Sequence, residues 1–247
     1  MHVRRPSSRM LMAAPVSPPK HITKRHQELR QDTVVTAYAR AWGFFEQNRN
    51  LVFIGLGVLV AVVLFAIGLV FYQHNQEQKA QEALAAIVPV YEAGNYQQAL
   101  DGTPETMGLL AVAEEYGGTD AGNLARFYAA DAAYKTGNYE LAAELFRAFD
   151  KEKNLIGASA LAGEADAYVA LGRPADAAPL YLRAARLYDD PLTSPLYLLQ
   201  AGLAFEQAGE YDRAREAFEA IREEYPDSPQ AAEVDLHLAR VAARQAS

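Results

Sequence analysis

YEAGNYQQAL (residues 91–100) and YKTGNYELAA (residues 134–143) are one phrase written twice: Tyr, two residues, Gly-Asn-Tyr, a pair, then Ala. Two looser versions follow, YVALGRPADAAPLYLRA (168–184) and FEQAGEYDRAREAFEAI (205–221). Aligned on Gly94, Gly137, Gly172 and Gly209, three copies carry Tyr two residues on, at Tyr96, Tyr139 and Tyr211. All four carry Ala five residues on, at Ala99, Ala142, Ala177 and Ala214. The last three add an aromatic four residues beyond that alanine: Phe146, Tyr181 and Phe218. The glycines stand 43, 35 and 37 residues apart.

Apolar residues run at helical spacing up to each glycine and resume after it, which predicts a helical hairpin. Glycine ends the first helix in the left-handed conformation at no Cβ cost. The small alanine lets the second helix lie close to the first, and the aromatic fills the gap beside it. A period near that length with these offsets resembles the tetratricopeptide repeat. The plainer alternative is a helical bundle whose hairpins share turn chemistry.

Thr103-Pro104, Ser194-Pro195 and Ser228-Pro229 each offer an N-cap hydroxyl before a proline at the first helical position. The last opens a predicted helix over roughly 229–245, with Val234, Leu238 and Val241 as its apolar stripe and Glu233, Arg240 and Arg244 toward water. Such a helix suits the capped end of an open stack. The first copy breaks after Leu100 into DGTP, and a new helix is expected over roughly 104–116. Pro179 falls inside the second helix of the third copy, where it should cost a backbone hydrogen bond and bend it.

Composition sets further bounds. The 247 residues hold no cysteine, which removes disulfides and thiolate metal sites. The net charge of −8 is uneven: residues 1–50 carry +6 and residues 72–247 carry −14. Between them LVFIGLGVLVAVVLFAIGLVF, residues 51–71, has neither a charge nor a hydroxyl. As a helix rising ~1.5 Å per residue it matches the ~30 Å hydrocarbon thickness of a bilayer, so a transmembrane helix is predicted. A cleaved signal peptide would have a shorter apolar run near the start and a small-residue cleavage site. Nine Lys/Arg precede the run, and Lys79 alone lies in the first twenty residues after it. By the positive-inside rule the N-terminus is expected in the cytoplasm and the acidic domain on the far side. In a bacterium that places residues 72–247 in the periplasm, on an inner-membrane anchor.

Residues 1–31 read as a disordered basic tail. Residues 32–50 are expected to form a juxtamembrane amphipathic helix on the stripe Val34, Val35, Tyr38, Trp42 and Phe45, or else an upstream continuation of the spanning helix. The architecture expected is thus all-α: one N-terminal transmembrane helix, then a repeat solenoid with a C-terminal capping helix.

No arrangement for catalysis is visible. The histidines (His2, His21, His26, His74, His237) show no HExxH pattern, and His237 is expected at the surface of the last helix. There is no GxSxG or phosphate-binding loop. The chain is therefore read as a non-enzymatic protein-binding scaffold with no cofactor and no small-molecule substrate. Its acidic domain would repel nucleic acid. By analogy with the repeat family, groove positions fall three, six and ten residues before each glycine. They are Tyr134, Asp131 and Phe127, then Val169, Asp166 and Ala162, then Glu206, Leu203 and Leu199. Packing between repeats is an equally open role for any one of them.

With AWGFFEQNRN (41–50) before the apolar run and EYGGTDAGNLARFYAADAAYKTGNYELA (115–142) after it, the chain resembles the ancillary SecYEG translocon subunit family. Its repeat domain is similar to that of the cell-division coordinator group, which lacks the anchor. The resemblance implies docking beside the SecYEG channel, a periplasmic chaperone partner and help to exported chains. The alternative is a cell-envelope coordinator that links wall synthesis or outer-membrane assembly to the inner membrane.

Overall fold

The computed structural model describes residues 42–246, which divide into two units between Ile67 and Gly68. The predicted tail 1–31 and most of the predicted amphipathic helix lie outside the described residues. In the first unit residues 42–47 are helical, and Asn48 continues the backbone ladder: its N–H donates to Phe44 O and its carbonyl accepts from Val52 N, both at 2.9 Å. Trp42, Phe45 and Phe53 pack in sequence, the first pair tilted and the second edge-to-face, with ring centroids 6.1 and 5.9 Å apart. Helix α1 (Arg49–Glu92) contains the apolar run. It is long and apolar enough to cross a membrane, with a mean hydropathy of 3.0 over 18 residues and none of that window buried. The helix does not stop at Phe71, and farther along it buries Ala80, Leu84 and Ile87.

The second unit is built from the repeated phrase. Helices α2 (Tyr96–Asp101), α3 (Leu109–Glu115), α4 (Asp120–Lys135) and α5 (Tyr139–Ala148) come first. Helices α6 (Leu155–Ala170), α7 (Pro174–Leu187), α8 (Ser194–Gln207) and α9 (Tyr211–Glu224) follow. A 3₁₀ turn (Pro229–Glu233) and α10 (Val234–Gln245) close the chain. Among the described residues there is no strand, only an isolated bridge between Gly102 and Met107. From α4 onward each helix packs on the next in chain order, giving an all-α repeat solenoid.

The four aligned glycines all take positive φ: +80° at Gly94, +81° at Gly137, +71° at Gly172 and +79° at Gly209. Each closes its helix in the same way. The glycine N–H returns to the carbonyl three residues back, and the next N–H returns five back, as in Asn138 N to Ala133 O at 2.9 Å. The aligned alanines are fully buried, so the paired helices meet at methyl distance. Phe146 and Phe218 fill the space beside them by lying on glycines: a Cβ at Gly163 would stand 2.5 Å from the Phe146 ring, and one at Gly202 would stand 2.4 Å from Phe218.

Three expectations about helix ends are corrected. No helix begins at Thr103-Pro104, because the Thr103 hydroxyl accepts from Glu105 N and Thr106 N and closes a turn. The chain doubles back so tightly there that a Cβ on Gly108 would lie 2.3 Å from Leu100 O, and α3 starts only at Leu109. Ser194 is not an N-cap but is fully buried, accepting from Asp190 N at 2.9 Å and donating to Ala185 O at 3.0 Å. It ties the end of α7 to the start of α8. Ser228 does cap, accepting from Ala231 N, yet the segment opens as a 3₁₀ turn before α10. Pro179 is accommodated within α7, which runs on to Leu187.

Gly202→Ala tests this packing. The Phe218 ring is fully buried and stacked on His237 (centroids 4.9 Å apart), so it has nowhere to retreat. The substitution is expected to destabilise the fold by about 1–3 kcal/mol, the usual cost of overpacking, measured by chemical denaturation.

Candidate protein-binding groove

The first helices α4, α6 and α8 carry the predicted groove residues, and the structure brings several of them together with neighbours across the repeats, including Tyr91 of α1, which was not predicted. The Tyr91 hydroxyl, three residues before Gly94, donates to the Asp131 carboxylate, six residues before Gly137. Lys135 also reaches Asp131, at 3.6 Å. One repeat later Tyr134 and Asp166 are neighbours. The Tyr134 phenol pKa is raised by burial first and then by the Asp166 charge. Asp166 in turn accepts from the Tyr181 hydroxyl of α7. Desolvation raises its carboxyl pKa against the lowering effect of that hydrogen bond. At the next interface the same two positions hold Val169 and Leu203, both half-buried against the core.

The remaining predicted positions are more structural. Phe127 sits in an aromatic cluster, 5.6 Å from both Phe146 and Phe149 between centroids, and Ala162 is buried. Leu199 is half-buried. Glu206, three residues before Gly209, is engaged by the cap: Arg240 Nε donates to its Oε1 at 2.7 Å and Arg240 Nη2 to its Oε2 at 2.6 Å, with Arg244 at 3.5 Å. Arg240 was expected to face water. It lies instead at the position on α10 that Asp131, Asp166 and Leu203 occupy on their helices, and it completes the row.

His237 is also corrected, from surface to buried. It stacks on Phe218 of α9, and its Nδ1 lies 2.9 Å from Arg240 Nη2. Burial lowers its pKa from the ordinary 6.5, the Arg240 charge lowers it further, and Glu233 and Glu206 oppose the shift. A folded-state pKa below the unfolded value means that unfolding takes up a proton, so this contribution to stability is lost as pH falls below 6.5. The melting temperature of the wild-type chain should therefore fall more steeply between about pH 7.5 and pH 5 than that of His237→Gln. Parallel profiles would remove His237 as the cause.

Sequence reasoning missed two arrangements. Glu164 is buried in the alanine-rich α6, within 3.3 Å of Arg147 and 3.9 Å of Lys151. Lys151 also donates to the Phe146, Arg147 and Phe149 carbonyls, so it both ends α5 and neutralises Glu164. Burial lowers the Lys151 pKa and the Glu164 charge opposes that. Glu77 of α1 accepts from Asp120 N at 2.8 Å and Ala121 N at 3.4 Å, a distant carboxylate seated on the N-terminus of α4. The Thr119 hydroxyl accepts from Gly122 N to complete that cap.

Beside Glu77 the structure opens a hollow of about 510 Å³ between α1 and α4, walled by Leu84, Val88, Leu124 and Tyr128. A smaller one of about 280 Å³ shares Asp120 and Leu124 with it and is lined by Phe149, Asp150, Glu152 and Ile156. At the opposite end a hollow of about 440 Å³ is lined by Leu203, Glu206, Tyr211 and Arg244.

Stacked helical hairpins of this kind define an α-solenoid whose surfaces serve for holding proteins. The family models agree: a tetratricopeptide repeat-like domain matches residues 42–163, and the tetratricopeptide repeat matches residues 162–229 and 199–246. The chain is a tetratricopeptide repeat protein, and protein–protein interaction is the function that this repeat supports. No curated protein matches it.

Glu164→Ala is expected to destabilise the fold by about 2–3 kcal/mol, less than the ~3–5 kcal/mol for breaking a fully buried pair because Arg147 retains access to water. Urea denaturation followed by circular dichroism measures this. Glu164→Gln, which keeps the shape, should lose less.

Proposed function

We propose that the chain is a membrane-anchored scaffold that docks beside the SecYEG channel and offers its repeat domain to exported chains or to a periplasmic chaperone. One observation carries the reading: the apolar run is almost wholly exposed, and the helix that bears it also supplies buried residues to the first repeat. Exposed apolar surface of that length calls for a bilayer or an apolar partner. The charge asymmetry across it favours a cytoplasmic N-terminus and a periplasmic repeat domain. The sequence resemblance supports the translocon as the docking partner.

Purification of the full-length chain from its native membrane in mild detergent, with mass spectrometry of the associated proteins, tests the proposal. Channel subunits together with a periplasmic chaperone are the expected companions. Wall-synthesis or outer-membrane assembly proteins without the channel would replace this reading with the envelope coordinator. Exchanging residues 51–71 for an unrelated spanning helix should abolish the association with the channel. Unchanged association would place the docking contact elsewhere.

A further inference from the structure

We infer that the double hollow between α1, α4 and the start of α6 receives a protein segment in which apolar side chains are followed by Lys or Arg. The inference rests on the scaffold reading and specifies the partner's chemistry. The larger hollow is walled by Leu84 and Val88 of α1 and by Leu124 and Tyr128 of α4, so its floor favours aliphatic or aromatic groups. Its far end is acidic. Glu77 and Asp120 stand there, and beyond Leu124 the smaller hollow presents Asp150 and Glu152 beside the exposed Ile156.

Among the described residues no Lys or Arg lines either hollow. Arg126 and Lys151, near Leu124 and Asp150 in the chain, are already engaged, whereas Lys79 and Lys153 neighbour Glu77 and Glu152 in the chain without lining either hollow. Arg126 donates to Asn123 Oδ1, Ala113 O and Ala148 O. Lys151 is held by the carbonyls at the end of α5 and by Glu164. Glu77 is held by the α4 amides, so Asp120, Asp150 and Glu152 are the carboxylates offered to an incoming cation, and sign complementarity sets the polarity of the occupant.

The same charge argues against other occupants. Anionic lipid and nucleic acid would be repelled, and a second copy would bring another domain of −14 over residues 72–247. The predicted positions at the other end, Leu203 and Glu206, are poorer candidates because Arg240 and Arg244 already occupy the carboxylate there.

The test uses the full chain in phosphatidylcholine nanodiscs, with empty nanodiscs as blank. The probe is a dye-labelled peptide of about fourteen residues, four helical turns, with leucines on one face and lysines toward one end. Fluorescence anisotropy should show saturable binding that weakens as salt rises. Replacing the lysines by glutamate, or the leucines by serine, should weaken it by at least about tenfold. Leu124→Glu should do the same, with Leu124→Ser as the milder variant if the first melts early. Asp150→Lys with Glu152→Lys should weaken binding and flatten its salt dependence, while Leu236→Glu, at an exposed position on α10, leaves it unchanged.

Equal binding of the glutamate peptide, or no effect of either Leu124 variant, would overturn the assignment. So would self-association of the chain, seen by mass photometry, that Leu124→Glu disperses, because a second copy would then be the occupant. If channel subunits co-purify but the peptide does not bind, this inference falls alone. If the peptide binds as expected and the channel is absent, the receptor stands and the translocon reading falls.

Discussion

Contact at methyl distance between the two helices of each hairpin is the constraint on which the solenoid depends. Ala99, Ala142, Ala177 and Ala214 leave no room for a larger side chain, and each aligned glycine turns the chain sharply enough to bring the helices that close. A backbone so near cannot also fill the space to its side, so one large ring in each of the last three copies does that. Burying such a ring contributes on the order of 1.5–3 kcal/mol. Phe146 and Phe218 go farther and lie on backbone, at Gly163 and Gly202. Small residues therefore play two unlike parts here: alanine sets the spacing within a hairpin, and glycine admits the ring that locks it.

A second regularity runs across the repeats. The residue three before each turn glycine meets the residue six before the next one: Tyr91 with Asp131, and Tyr134 beside Asp166. The same positions hold Val169 and Leu203, and the row ends with Glu206 and Arg240 on the capping helix. The chemistry changes along the row from phenol–carboxylate through apolar to a salt bridge, while the geometry persists. The capping helix α10 thus takes the register of a first helix and meets the preceding carboxylate with guanidinium. His237 adds a flat ring on Phe218 and shields it.

The parts of this design that were legible in the sequence are short-range. Turn glycines, alanines and aromatics sit at fixed offsets within seventeen residues, and their physics is local. Arg240 was legible in principle, since it stands 34 residues after Glu206, one repeat on and opposite in charge. Reading it required the register across repeats rather than the amphipathic pattern of one helix. His237 was misread for the same reason, its partner being a ring on the preceding helix. Glu77 gave no local signal, because the amides that it caps lie 43 and 44 residues away. Glu164 is spaced like any polar residue of an alanine-rich helix, and only the fold shows that Arg147 and Lys151 converge on it. Thr103-Pro104 failed because a helix-start signal competes with a turn of the same composition, and Gly102 and Gly108 decided for the turn.

The two ends of the solenoid therefore differ in what they leave unsatisfied. At the C-terminal end Glu206, the carboxylate three residues before the fourth turn glycine, is met by two arginines from the same chain, and the fourth copy's Phe218 is covered by an imidazole. At the N-terminal end Glu77 is spent on the amides of α4, and buried Leu84 with half-buried Val88, Leu124 and Tyr128 borders an open hollow of about 510 Å³. The broken first hairpin accounts for this: α2 is six residues long, and Gly102 turns the chain into α3 instead of extending a full second helix. A regular first repeat would have set a longer second helix behind α1. The irregular copy, which looked like a defect of the pattern, coincides with an apolar hollow of about 510 Å³ between neighbouring first helices.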